Sequence, residues 1–244
     1  MMAPSRIDLW IAREFAQLTG RHPLFDIVLQ SGINHYVLGG FWFAGALFVF
    51  WTMATGRRDA QQRTRLLTTL AGSLVAIALA LLARHFIAWT PPRSSKELVT
   101  VFPQYVNLTW NPSSFPSDST TLYASVATGI YSISRRTGAA LWAAVVLLVA
   151  LPRMYVGGHF LTDVLVGMVL GLAGFAIARA VVEPMLASHV EPVFDRGDVR
   201  AVLANFVIFY LVLQVAIEFR DGVWLWSSLS LVRRNLIRWP HALR

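Results

Sequence analysis

Six long apolar runs constrain the fold of this chain more than any other feature of its sequence. Their approximate bounds are 35–54, 66–88, 118–134, 138–155, 160–182 and 201–219, each close to the roughly 20 residues that a helix needs to cross a bilayer. A segment inside a bilayer must satisfy its own backbone hydrogen bonds, so each run is expected to be helical. Since 56% of the residues are hydrophobic and only 14% are charged, an ordinary soluble domain is excluded. The sequence predicts an all-α, polytopic membrane bundle with about six transmembrane helices.

The segments that flank these runs are predicted to lie in the headgroup layer of the membrane. Residues 1–30 carry apolar side chains at helical spacing with polar residues between them, which indicates an interfacial helix. The tail, residues 221–244, combines tryptophans with arginines, a composition typical of the membrane interface. The transmembrane domain is expected to occupy residues 31–220.

The charge of the chain indicates an anionic partner. The net charge of +8 comes almost entirely from arginine, because Lys96 is the only lysine, and arginine binds phosphate in a bidentate manner. The arginines are divided among short loops and form no continuous basic face, which argues against nucleic acid and favours anionic lipid. The absence of cysteine excludes disulfides, zinc-thiolate sites and cysteine nucleophiles.

The same loop arginines predict the orientation of the bundle. Basic residues lie between the first and second runs, between the third and fourth, and after the fifth, and the positive-inside rule makes that side cytoplasmic. The loop 87–116 and the turn 153–159 then lie on the outer side together with both termini. The basic C-terminal tail argues against this orientation.

Ionisable residues at the turn between the fourth and fifth runs are candidates for chemistry, because charge at membrane depth is costly. His159 and Asp163 are four residues apart, so a helix places them on one face, where the carboxylate can fix the imidazole tautomer and stabilise its cation. Gly157 and Gly158 permit a tight turn and a close approach of a ligand to the backbone, and Arg153 can reach the same point. The alternative is structural: Arg153 snorkels to headgroups, His159 lies at the interface and Asp163 favours a helix N-terminus.

Two further groups of residues are expected on the same outer side. Arg84 ends the second run and is followed by His85 and, after a proline pair, by Arg93. The third run opens as a helix start, where Ser117 or Asp118 caps the helix and its backbone N–H groups are suited to bind phosphate. Helix capping alone also explains the two capping residues.

The residues of the turn resemble a motif of the type 2 phosphatidic acid phosphatase (PAP2) superfamily, membrane lipid-phosphate phosphatases related to vanadium haloperoxidases. That family's pattern is a lysine, six residues and Arg-Pro; then Pro-Ser-Gly-His or Pro-Ser-Asp-His; then Ser-Arg, five residues, His, three residues and Asp. Arg153, His159 and Asp163 match the third part, with Pro152 where serine is usual. The resemblance implies that His159 attacks phosphorus, that Asp163 orients it, and that Arg153 and Ser117 bind phosphate. The sequence Phe-Pro-Ser-Asp is most similar to the corresponding motif of bacterial undecaprenyl-diphosphate phosphatases.

The other two parts of the pattern depart from the family. Arg84 stands at the lysine position, Pro91 stands where arginine is expected, and Arg93 follows two positions late. Ser119 stands in place of the histidine that protonates the leaving oxygen. Loss of a general acid typically costs about 10²–10⁴-fold, most of all for a basic alkoxide leaving group, so Ser119 favours a diphosphate substrate. His85 is a candidate for the missing acid.

The leading functional hypothesis is a lipid-phosphate phosphohydrolase at the outer leaflet of a bacterial inner membrane, acting on an isoprenoid (undecaprenyl) diphosphate through a phosphohistidine. No metal or cofactor is expected, because arginines supply the charge stabilisation. One alternative is a phosphotransferase that passes the phosphoryl group to a lipid or glycan; another is a non-catalytic lipid-phosphate binding protein. The sequence does not indicate an oligomeric state. The residues expected to capture the phosphate are Arg84, Arg93, Arg153, Ser117 and Gly158.

Overall fold

The computed structural model describes residues 4–34, 39–54, 57–87, 89–102, 113–187 and 199–218, and within these ranges its regular elements are all helical. The predicted all-α fold is therefore confirmed, whereas the predicted interfacial tail, residues 221–244, lies outside the described residues. A short 3₁₀ helix, Pro92–Ser94, lies between the fourth and fifth helices. In chain order the helices are α1 Arg6–Leu18, α2 Pro23–Asn34, α3 Gly40–Thr52, α4 Arg57–Phe86, α5 Asp118–Ile133, α6 Arg135–Tyr155, α7 Leu161–Ala187 and α8 Val199–Ala216.

The described part of each of the six apolar runs forms a helix, but the helices differ in length and polarity. Among the described residues, three helices are long and apolar enough to cross a membrane, namely α4 from Ala60, α6 and α7. With 13 residues, α3 is about 20 Å long at ~1.5 Å per residue, short of a hydrocarbon core of roughly 30 Å. Helix α5 has 16 residues and carries buried hydroxyl groups. Of the six predicted spans, three thus meet the criteria of length and composition, which identifies a membrane protein.

The centre of the bundle consists of α4, α5 and α7, which pack closely against one another. A Cβ atom added at Gly171 would lie 2.5 Å from the backbone oxygen of Thr121, and one at Gly174 would lie 2.6 Å from the Cβ atom of Ala76. Backbones approach this closely only where small residues line the interface. Gly167, Gly171 and Gly174 recur in the fifth run at a spacing that permits close helix packing, and the structure shows this packing.

Helix α6 changes its winding just before it reaches the site. It is α-helical over Arg135–Ala144, π-helical over Val145–Ala150 and α-helical again over Leu151–Tyr155. Pro152 has no backbone N–H and its ring crowds the preceding turn, and the wider π-helical turn relieves that crowding. Arg153, the next residue, is thereby buried at the end of α6.

Helix α1 has two different faces. Ser5 and Asp8 form a capping box at its start, and Ala12 and Ala16 are buried against the loop after the 3₁₀ helix and the start of α7. On the opposite face, Ile7 is 62% exposed and Trp10 is 61% exposed. An exposed apolar face on a helix whose other face is anchored is the arrangement that an interfacial helix requires.

The three sequence-predicted groups of site residues meet at one end of the bundle, hereafter the site end. The backbone N–H of Ser114 donates to the carbonyl of Trp89 at 3.0 Å, and that of Ser117 donates to the carbonyl of Asp163 at 3.1 Å. These bonds join the end of α4, the start of α5 and the start of α7. The prediction that the groups share one end is confirmed, while the side of the membrane stays a prediction.

At the other end of the bundle, the opposite end, the basic residues expected in a loop between the first and second runs instead form the first turns of α4, which begins at Arg57. Arg63 Nη2 donates to the carbonyl of Ala54 at 2.9 Å, and Arg65 Nη1 donates to the carbonyl of Ser132 at 2.8 Å. These carbonyls lie where α3 and α5 end, so the arginines satisfy helix-terminal acceptors. That pairing favours a longer helix than apolarity alone predicts.

Candidate active site

His159 lies in the turn between α6 and α7, and its ring is held by a backbone carbonyl. Nδ1 is 2.8 Å from the carbonyl oxygen of Ser114, and a carbonyl oxygen only accepts hydrogen bonds. Nδ1 therefore carries the proton and the lone pair of the neutral ring is on Nε2. The side chain is 11% exposed. A positioned imidazole with its lone pair on a defined nitrogen is suited to nucleophilic attack.

Asp163 is fully buried beside this histidine at the start of α7. Its Oδ1 accepts from Trp89 Nε1 at 2.7 Å, and its Oδ2 accepts from the backbone N–H of Phe160 at 2.8 Å. The distance from Oδ2 to His159 Nδ1 is 3.7 Å, too long for a hydrogen bond. The Ser114 carbonyl, rather than Asp163, thus fixes the tautomer, and Asp163 places a negative charge where an imidazolium would be stabilised.

The glycine pair before His159 forms the turn that the sequence predicts. Gly157 has a φ of +72°, a conformation that residues with a Cβ atom rarely adopt. A Cβ atom there would lie 2.8 Å from the ring of Phe102 and 3.0 Å from the Cβ atom of Arg93. The N–H of Gly158 donates to the carbonyl of Arg153 at 2.9 Å. That N–H already has a partner, so Gly158 contributes through the tightness of the turn.

Arg93 is brought to this turn by the bend of the 3₁₀ helix. Its backbone N–H donates to the carbonyl of Gly157 at 3.1 Å, so Arg93 lies beside the turn that precedes His159. Its Nη1 is buried with no hydrogen-bond partner among the residues that the structure describes, and burial lowers the pKa of Arg93 below its ordinary value. A guanidinium nitrogen buried in this state is costly, and an anion that pairs with it would offset the cost.

Arg153 is buried, and its Nη2 nitrogen has two oxygen partners. It donates to the hydroxyl of Ser119 in the first turn of α5 and, at 2.7 Å, to Oε1 of Glu218 just after α8. Ser119 therefore holds a phosphate-binding candidate in place. A serine hydroxyl engaged in this way is a poor substitute for the proton-donating histidine of the family pattern.

Arg84 connects the end of α4 to the start of α5. Its Nη2 forms an ion pair with Asp118 and donates to the carbonyl of Pro116 at 3.4 Å. Its Nε donates to the carbonyl of Phe115 at 3.4 Å. Arg84 is partly exposed, so it is positioned at the rim of the site and stabilises the helix start.

Ser117 and His85 are placed differently from their sequence expectations. Ser117 is the N-cap residue of α5, but its hydroxyl forms a 2.9 Å hydrogen bond with the hydroxyl of Thr120 and makes no capping bond to the backbone. Its N–H is bound to Asp163, as described above. His85 is exposed, with its ring edge-on to Phe86 at 5.3 Å, and the described contacts do not join it to His159.

Sequence reasoning missed three groups of the site: the Ser114 carbonyl, the Trp89 indole and the Glu218 carboxylate. A backbone carbonyl has no sequence signal. Trp89 stands in the loop after the second run, where an interfacial tryptophan is expected anyway. Glu218 had one signal, since it is an acidic residue at the end of an otherwise apolar run.

Comparison with known proteins gives one family-level match. The family model of the PAP2 superfamily matches residues 87–184, and members of that superfamily are generally phosphatases that act on lipid phosphates. The matched region includes Arg93, Ser117, Arg153, His159 and Asp163. No curated protein and no solved structure matches the chain.

Proposed function

We propose that this chain is a PAP2-type lipid-phosphate phosphohydrolase, and that it hydrolyses undecaprenyl diphosphate or a related isoprenoid diphosphate through a phosphohistidine at His159. The observation that carries the proposal is the hydrogen bond from His159 Nδ1 to the Ser114 carbonyl, which puts the lone pair on Nε2. The match of residues 87–184 to the PAP2 superfamily supports the class of reaction.

In the first step, Nε2 of His159 attacks the terminal phosphorus. The N–P bond forms, the P–O bond to the lipid monophosphate breaks, and the electron pair leaves with that oxygen. Asp163 stabilises the resulting positive charge on the ring through space. Arg93 and Arg153 stabilise the charge on the phosphoryl oxygens. In the second step water attacks phosphorus and gives up a proton, the O–P bond forms, and the N–P bond breaks. The electron pair of that bond returns to Nε2, and inorganic phosphate is released.

We infer the lipid substrate from the kind of leaving group that the site is able to release. Ser119 is engaged by Arg153, and the exposed His85 lies apart from the described site contacts, so neither is well placed to protonate a departing alkoxide. A phosphate monoester is a far better leaving group than an alkoxide and needs little protonation. We therefore expect diphosphates to be hydrolysed faster than phosphatidic acid.

The proposed location is the outer face of a bacterial inner membrane. Three helices have the length and composition of membrane spans, and the described arginines of the predicted cytoplasmic loops, Arg63, Arg65 and Arg135, lie at the opposite end from His159. With basic residues facing the cytoplasm, the site end faces outward, where it would receive a lipid diphosphate from the outer leaflet.

The test is phosphate release by the purified, detergent-solubilised protein from undecaprenyl diphosphate and from phosphatidic acid. We expect release from the wild type, faster from the diphosphate, and a fall of at least about 10³-fold in kcat for His159→Ala. Full activity of His159→Ala would contradict the mechanism. Release that requires an added lipid or glycan acceptor would indicate the transferase, and binding without any phosphohistidine would indicate the non-catalytic protein.

A further inference from the structure

Glu218 carries a partly buried carboxylate next to the site that the steps above do not use. It follows α8 directly, and its Oε1 accepts from Arg153 Nη2 at 2.7 Å, with a side-chain exposure of 16%. Its φ of 56° is uncommon for a residue with a side chain and persists only where the surroundings hold it. The ion pair with Arg153 is such a restraint. It holds the residues just after α8 in place, with the Glu218 carboxylate directed at the site.

The carboxylate lies beside the position at which the acid-base histidine of the family pattern is missing. Ser119 occupies that position, and its hydroxyl binds the same Arg153 nitrogen as Glu218 does. Two oxygens bonded to one nitrogen, each at a hydrogen-bond length of ~2.9 Å, are at most about 6 Å apart. The fold therefore brings an acid-base group from α8 to the place that Ser119 leaves without one.

We propose that Glu218 is the general base of the second step, a role that rests on the proposed function. Water attacks the phosphohistidine, its proton passes to the Glu218 carboxylate, the O–P bond forms and the N–P bond breaks. The electron pair of that bond returns to His159 Nε2. Glu218 then releases the proton to solvent, and inorganic phosphate leaves.

The ion pair explains why Glu218 acts in the second step rather than the first. Glu218 is paired with the Arg153 guanidinium as a carboxylate, which is able to accept a proton but has none to donate. The first step requires no proton when the leaving group is a phosphate monoester. A carboxylate that only occupied Arg153 until the substrate displaced it would behave differently. Its removal would strengthen substrate binding rather than slow the hydrolysis of the phosphohistidine.

The experiment is rapid-quench kinetics of the purified full-length protein with an isoprenoid diphosphate labelled on the terminal phosphate. We expect Glu218→Gln to keep the burst of labelled phosphohistidine within about threefold of the wild type, while steady-state phosphate release falls by about 10²-fold or more. Labelled protein should then accumulate during turnover. Glu183→Gln is the matched control, because it also removes a carboxylate from an arginine pair, 3.7 Å from Arg179 and remote from the site, and it should release phosphate at the wild-type rate.

Two other outcomes would overturn the inference. A burst that falls in parallel with turnover would mean that Glu218 positions Arg153. A lower KM with unchanged kcat would mean that Glu218 only occupies Arg153 until the substrate displaces it. Glu218→Ala gives a second test, in which added formate should restore release but leave the burst unchanged; absence of restoration counts against a base. If the wild type itself forms no phosphohistidine, the proposed function fails first, a result distinct from failure of Glu218 alone.

Discussion

The two ends of the bundle use the same side chain, arginine, in different ways. At the site end Arg153 is buried and binds a hydroxyl and a carboxylate. At the opposite end Arg63 and Arg65 bind backbone carbonyls, and Arg179 is 61% exposed beside Glu183. The comparison teaches that the environment of an arginine, rather than its presence near a helix end, separates a candidate phosphate ligand from a residue that anchors a helix.

The physical difference between Arg153 and Arg179 is the cost of desolvating the charge. An exposed ion pair such as that of Arg179 contributes about 0–1 kcal/mol. A buried guanidinium must be compensated by well-placed oxygens, and removal of a partner is strongly destabilising. Arg93, whose Nη1 is buried without a partner in the described part of the chain, is a cation that a bound phosphate would complete.

The largest effect that sharpens this comparison is expected for an arginine-to-lysine change at the site end. Arg153→Lys keeps the charge but loses the planar guanidinium whose Nη2 binds both Ser119 and Glu218. We expect kcat/KM for the diphosphate to fall by about 10²–10³-fold, the size of effect seen when a charge-stabilising donor is lost. The measurement is steady-state phosphate release.

Arg65→Lys is the matched change at the opposite end, because a lysine is also able to donate to the Ser132 carbonyl. Its kcat/KM should stay within about threefold of the wild type. Equal losses for the two variants would mean that the two ends do not differ in the way their contacts indicate.

An intermediate effect is expected from loss of one indole N–H group at the site end. Trp89→Phe keeps an aromatic ring against Phe115, whose centroid is 5.0 Å from that of Trp89, but it removes the donor to Asp163. A buried carboxylate that loses a donor costs about 1–3 kcal/mol, so we expect a lower melting temperature and a fall of about tenfold in kcat.

Trp51→Phe is the control for that change, since Trp51 Nε1 also donates to an oxygen, that of Asn205 at 3.0 Å, but in an exposed contact. Exposed groups exchange their hydrogen bonds with solvent at little cost. Thermal unfolding and kcat should therefore be nearly unchanged in Trp51→Phe. An equal loss of stability in both variants would argue that the indole rings, not the Asp163 bond, are responsible.

The smallest effect concerns Asp8, whose carboxylate joins α1 to α7. Burial raises the pKa of Asp8, but hydrogen bonds from Thr162 and Ser5 outweigh burial and leave that pKa below its ordinary value. A depressed pKa contributes stability that is present above the unfolded pKa and is lost as pH falls through the folded pKa. We expect α1 to become susceptible to proteolysis below about pH 4, the ordinary range of an aspartate.

Asp8→Asn should lower the stability of the α1 contact at neutral pH by about 1–2 kcal/mol, because the hydrogen bonds from Thr162 lose their charge assistance. It should also remove the acid dependence of cleavage within α1. Cleavage that depends on pH equally in Asp8→Asn and the wild type would assign the effect to another group.

Much of the fold follows from the sequence, because the signals that specify it are local. Six apolar runs are helical, and the glycine spacing of the fifth run correctly indicates close packing, since each feature depends only on residues along one helix face. The extent of α4 and the length of α3 were harder to predict from the sequence. The pairing of Arg63 and Arg65 with distant carbonyls extends α4, and hydropathy contains no information about those carbonyls.

The site could be predicted only in part, because local sequence patterns contain no information about distant contacts. The spacing of His159 and Asp163 correctly indicates that they lie together, but it suggests a direct hydrogen bond that the 3.7 Å distance excludes. The Ser114 carbonyl takes that role because the loop before α5 folds against Trp89. Glu218 reaches Arg153 from 65 residues away in the chain, a contact that depends on how α8 packs and on no motif.

The bond network of Asp8 also has a mechanical consequence. Its carboxylate accepts hydrogen bonds from the backbone and hydroxyl of Thr162 at 2.8–2.9 Å, one residue from Asp163, while Ile7 and Trp10 project from the other face of the same helix. These bonds couple α1 to the turn that carries His159. If α1 lies at the lipid–water interface, as its sequence predicts, this coupling would hold the imidazole at the depth of the lipid phosphates.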